Sequence, residues 1–161
     1  MTMRHLFTLL ILIGFIGLMS SCKDLDSYSP GKATEKIKGT WTIKKVENNV
    51  NYDGKWGRND VTKSYEDWVF SFEENGYASL RIPNENLFLE GGWEVYENFD
   101  VDNDGDQTST IEMYMYFFHP TLDDFREFYW RDMKASNSLF KAREKRTVAG
   151  QKVTYFYELV K

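Results

Sequence analysis

Three groups of residues have types and spacing that could do chemistry: a cysteine behind an apolar leader, a run of alternating aspartates, and a ladder of aromatic and methionine side chains. Cys22 is the only cysteine in the 161-residue chain. It follows Leu18-Met19-Ser20-Ser21, whose small residues give a peptidase access. The leader ahead of it has a positive start at Arg4 and His5 and an apolar run from Leu6 to Met19. Spanning a bilayer takes about twenty apolar residues, so this shorter run predicts a cleaved export signal over 1–21.

The second group is Asp100-Val101-Asp102-Asn103-Asp104-Gly105-Asp106. Oxygens at alternate positions followed by a glycine reproduce the first half of an EF-hand-type loop, so calcium is the candidate cation for Asp100, Asp102, Asp104 and Asp106. The second half fails: position twelve is Ile111, and Glu112 comes one residue late. The competing reading is a solvated acidic turn between two strands.

Catalytic arrangements are thin. His5 leaves with the leader, so His119 is the histidine left as a neutral-pH base, and beside Pro120 a turn role accounts for it. Asp123-Asp124 and Glu73-Glu74 are sequence neighbours, which point apart on a strand and form no acid/base pair. The expectation is a protein that is not an enzyme.

The elements that must position these residues are strands. Trp41 and Ile43 alternate with Thr40 and Thr42. Trp68, Phe70 and Phe72 share a face within Tyr65 to Phe72, and Asn75-Gly76 turns the chain into Tyr77 to Ile82. A strand with Trp93 and Val95 on one face follows Gly91-Gly92. Met113, Met115 and Phe117 then face one way, and the last strands fall at Phe125 to Met133, Leu139 to Thr147 and Gln151 to Val160. The fold class predicted is all-β: an up-and-down antiparallel meander of about eight strands closing into a barrel, with no helical period outside the leader.

The domain plan is a leader (1–21), an N-terminus and polar tether that start at Cys22 (22–36), and the barrel (37–161). Asn48 to Lys63, with Tyr52, Trp56 and Arg58, reads as a long loop suited to protein or glycan contact, the alternative being that Trp56 folds back as a lid on the core. The chain carries 20 basic and 25 acidic side chains, −5 in all, and loses only Arg4 with the leader, which argues against nucleic acid as a partner. Lys141, Arg143, Lys145 and Arg146 read as a solvated hairpin face.

Two resemblances sharpen this. Leu18 to Cys22 resembles a bacterial lipobox, with Met19 where leucine is usual. That implies a diacylglyceryl thioether on Cys22 and, as a rule, an N-acyl chain, together a firm membrane anchor. The alternative is an ordinary signal peptide with an incidental cysteine. Lys23-Asp24-Leu25-Asp26 is similar to export tags of surface-exposed lipoproteins in Bacteroidetes-type bacteria. Gly39-Thr40-Trp41 resembles the Gly-x-Trp signature of lipocalins, and with the meander and lipobox the mature chain resembles lipocalin-like lipoproteins of those bacteria. The chain lacks the family's Thr-Asp-Tyr motif and late arginine. The resemblance implies that Gly39 permits a close approach and that Trp41 plugs the closed end.

An eight-stranded barrel either fills with side chains or holds one small ligand. The expected lining is Trp68, Phe70, Trp93, Met113, Met115, Phe117, Tyr155 and Tyr157, suited to a small apolar or amphipathic ligand. The function expected is an outer-membrane-anchored lipoprotein binding such a ligand. The alternative is a structural or accessory envelope lipoprotein with a solid barrel and loop contacts to protein or glycan.

Overall fold

Eight antiparallel strands close on themselves with their apolar alternate residues turned inward, as the period of two requires. The computed structural model describes residues 23–52, 55–101 and 104–161. In chain order the strands are β1 (Lys23–Asp24), β2 (Gly39–Tyr52), β3 (Lys55–Asp60), β4 (Val69–Phe72), β5 (Tyr77–Ile82), β6 (Leu87–Val101), β7 (Gln107–Phe118), β8 (Phe125–Ala135), β9 (Leu139–Val148) and β10 (Gln151–Val160). The barrel runs β2-β4-β5-β6-β7-β8-β9-β10 and back to β2. β3 folds back on the far half of β2, and β1 adds to the end of β8.

Three sequence expectations are corrected. The supposed loop from Asn48 to Lys63 is mostly a hairpin, with β3 pairing β2 from Glu47↔Asp60 to Tyr52↔Lys55. The strand expected after Gly91-Gly92 begins before them, at Leu87, so both glycines lie inside β6. A Cβ on Gly91 would lie 1.8 Å from the Tyr116 carbonyl oxygen, and the Tyr116 ring covers Gly92. Glycine here allows a close approach between strands, the usual reason for one inside a strand.

The third correction concerns the tether. Residues 23–37 are part of the domain: after β1 comes the helix α1 (Pro30–Ile37), and Leu25, Ala33 and Ile37 are buried in the main core cluster. Asp26 accepts a hydrogen bond from the Ile111 N–H of β7 at 2.6 Å, pinning the segment across one end of the barrel. Pro30 supplies the preset φ for the first helical turn, and Ser29 precedes it as N-cap.

At that covered end the Trp41 indole is fully buried and donates to the Ile37 carbonyl at 2.6 Å, with Phe140 5.5 Å away ring to ring. The Lys161 ammonium sits 4.7 Å over its ring. Gly39 holds φ +120°, and its missing Cβ leaves room for the Lys161 stem. The hairpin at Asn75-Gly76 forms as expected, although only Gly76 takes positive φ and Asn75 instead accepts the Tyr77 N–H through Oδ1.

Candidate functional site

Along the barrel axis the expected lining residues meet one another. Phe70 has Trp68, Phe72, Phe117, Phe128 and Trp130 as ring neighbours at 5.4–6.4 Å. Met113, Met115 and Phe117 are fully buried, and Tyr157 lies 5.1 Å from Trp130. Trp93 donates its indole N–H to the Glu73 carbonyl at 2.8 Å and packs on Phe72. Tyr155 is half-buried beside Tyr65 and Tyr157. Edge-to-face rings fill this interior in the manner of a packed core.

The space lies at the end away from α1. A cleft of about 300 Å³ is lined by Tyr65, Trp68, Arg126, Phe128 and Arg146, with Phe125 and Glu127 at its edge. It opens where β8 and β9 part: their pairing covers Arg131 to Ala135 and no more of β8. Side chains bridge the seam instead. Glu144, only 2% exposed, accepts the Tyr129 N–H at 3.2 Å and the Tyr157 hydroxyl at 2.8 Å, and pairs with Arg146 at 2.9 Å. Arg146 also donates to the Glu127 carbonyl at 3.4 Å and lies 4.8 Å over the Phe128 ring.

Burial, and then the Glu144 carboxylate, push the Tyr157 hydroxyl well above the ordinary tyrosine value. Burial also raises Tyr65, with Tyr155 adding to it. Burial works against the charge on Arg146, yet Tyr157 and Glu144 hold its guanidinium above its usual value. On the opposite lip Arg126 stacks 5.0 Å over Trp68 and is held by Asp124 at 3.0 Å and Glu85 at 2.8 Å.

Two indole donors among the described residues have no acceptor, Nε1 of Trp68, whose ring lines this cleft, and Nε1 of Trp130, and both nitrogens are buried from solvent. A buried donor left unpaired costs about 1–3 kcal/mol, and native proteins retain few. The cleft offers aromatic walls and two guanidinium groups, a set that suits an amphipathic ligand carrying an acceptor.

The other sequence candidates fall elsewhere. Cys22 and Asp102 lie outside the described residues. Asp100 remains in the β6–β7 ladder opposite Thr108, Asp104 and Asp106 are exposed, and no group of three potential metal ligands occurs among the described residues. His119 accepts the Leu122 and Thr121 N–H groups at Nδ1, at 3.0 and 3.2 Å, which fixes the turn after β7. Trp56 is 60% exposed on β3 rather than folded onto the core, and Arg58 stacks 4.4 Å over Phe156 on the outer wall.

Sequence reasoning missed Tyr65, Arg126, Phe128 and Arg146. The signal for Arg146 was present in the alternation: Phe140 and Ala142 face inward on β9, so Glu144 and Arg146 must follow them. The architecture is that of a closed, antiparallel, lipocalin-like barrel. Comparison with protein-family models, with curated proteins and with solved structures finds no match.

Proposed function

We propose that the protein is a lipoprotein of the bacterial cell envelope, anchored in the outer membrane through acylated Cys22, whose barrel binds a small amphipathic ligand without chemistry. The lipobox-like Leu18 to Cys22 and the single cysteine support the anchor. The mouth cleft, with Tyr65, Trp68 and Phe128 beside the Arg126 and Arg146 guanidinium groups, is the observation that carries the binding reading. The ligand sits at the mouth, because the axis below is filled with rings. Its acceptor group meets Arg126 or Arg146, and its apolar body lies on Tyr65, Trp68 and Phe128.

Native mass spectrometry of the protein from its own host tests this. A stoichiometric small molecule is expected, and Arg126→Gln, which removes a guanidinium from the lip and leaves the rings in place, should weaken its retention. An empty barrel that instead retains a protein in pull-downs would favour the second reading, an accessory lipoprotein with a solid barrel. The five-ring shell around Phe70 and the exposed Trp56 speak for that reading.

A further inference from the structure

The outer wall formed by β8, β9, β10 and β2 carries a shallow groove of about 430 Å³ in which Lys45, Arg58, Lys134, Lys141 and Arg143 converge. These bases come from four strands. Alternation turns Lys141 and Arg143 outward, while Asp132, at φ +48° in a bulge of β8, and the register shift beside Glu158 in β10 break the smooth surface. The sequence reading assigned Lys141 and Arg143 to a solvated hairpin; the fold adds three bases to them.

Acids are present but shared. Glu47 holds both Lys45, at 3.1 Å, and Arg58, at 3.2 Å. Glu158 holds both Lys44, at 2.7 Å, and Lys141, at 3.3 Å. Arg143 pairs with Asp132, and Lys134 with Asp24 at 3.3 Å. Six bases thus face four acids, in a chain where acids outnumber bases by five. The wall runs against the charge of the whole molecule, so its complement is anionic.

The chain also enters the fold at this wall. Lys23 pairs with Ala135 and Asp24 with Lys134, a groove residue, so the residue that follows Cys22 in sequence lies in the sheet beside the groove. Because residues 23–37 are folded into the domain, an anchor at Cys22 would hold the barrel close to the bilayer.

We propose that this wall is the face the protein lays on an anionic bilayer, with lipid phosphates against Lys45, Arg58, Lys134, Lys141 and Arg143. The inference rests on Cys22 being the lipid anchor, and it adds an orientation: the wall lies on the headgroups and the mouth cleft opens away from the anchor. An acyl chain beside the groove turns each weak phosphate contact into an intramolecular one. Each basic residue near such a surface strengthens partitioning roughly fivefold, and salt weakens it.

The test uses the full chain, produced in a host that processes lipoproteins and reconstituted into phosphatidylcholine vesicles with and without phosphatidylglycerol. Acetylation of lysines is followed by mass spectrometry. Lys45, Lys134 and Lys141 should react several-fold more slowly on the anionic vesicles, with Lys36 and Lys63 unchanged. High salt, or Lys45→Ser with Lys141→Ser, should remove the protection at Lys134 while leaving the melting temperature in place. Equal labelling on both vesicles overturns the proposal, as does equal protection by inorganic phosphate without vesicles. The mass of the N-terminal peptide reports the anchor separately. A lipidated chain with unprotected lysines defeats the wall alone, and an unlipidated chain that still floats with anionic vesicles and is protected defeats the anchor alone.

Discussion

Replacing Trp68 with phenylalanine keeps a ring against Phe70 and Tyr65 and removes the one donor there without an acceptor. The expected loss of stability is below about 1.5 kcal/mol, against roughly 3–5 for truncation to alanine, as thermal melting of the empty protein would show. Tyr157→Phe tests the seam. Tyr157 is protonated in the fold well above the ordinary value near 10, so its contribution is whole below that pH and is lost as pH rises toward the folded value. Wild-type protein should therefore lose stability above about pH 10, and the phenylalanine variant should lose less over that window, in denaturant titrations at stepped pH. At neutral pH the variant costs about 1–2 kcal/mol, because Glu144 gives up a 2.8 Å partner. Which residues face inward was legible, since Phe70, Met113, Phe117 and Tyr157 obey the period of two. Whether they meet or enclose a space was not. That depends on contacts across the barrel, such as Phe70 with Phe128, set by the registers of strands far apart in sequence.

At the scale of elements, the N-terminal segment carries the sharpest prediction. Leu25→Ala should destabilise the protein by about 2–5 kcal/mol, measured by urea unfolding, whereas a residue in a solvated tether would register almost nothing. Gly91→Ala should prevent β6 from pairing with β7 as it does, because its methyl would occupy the Tyr116 carbonyl; loss of soluble folded protein, read by circular dichroism, is the expected outcome. The strands that run under ordinary alternation, such as β7 and β10, were visible in sequence. α1 was not, because its eight residues span barely two turns and include Gly31 and four polar or charged positions, too little for a helical period to show. Its markers were local ones, Ser29 and Pro30, which read equally well as a turn. β6 was cut short for a similar reason: paired glycines signal a turn unless the neighbouring strand that needs their bareness is known.

For the whole molecule, closure and charge divide the surface into unlike sides. β9, β10 and β2 present the basic groove. β7 and the start of β8, next around the barrel, present exposed rings such as Tyr116 and Tyr129, with Tyr114 and Tyr129 4.7 Å apart. The wall's ion pairs are half-exposed, so they add little to folding and raising the salt should barely move the melting temperature while it releases the protein's lysines from anionic vesicles. The all-β class and the eight-stranded closure followed from strand count and spacing. The asymmetry did not, because Lys45, Lys134 and Lys141 are scattered along the chain and gather only when β2 meets β10 and β8 meets β9.

The stretch from Leu25 to Ile37 has a further consequence, one of timing. It is among the first parts of the domain to be made, yet its partners come late: Asp26 waits for Ile111, the preceding β1 for Lys134 and Ala135, and the following β2 for β10, which ends at Val160. Contacts at such separation form slowly and only once the distant strands are present. Until the C-terminal strands are present, the residues next to Cys22 have no sheet to join and stay open to any enzyme that must reach them. On the proposed lipoprotein reading, completion of the barrel then withdraws them, so the window for processing closes when folding ends.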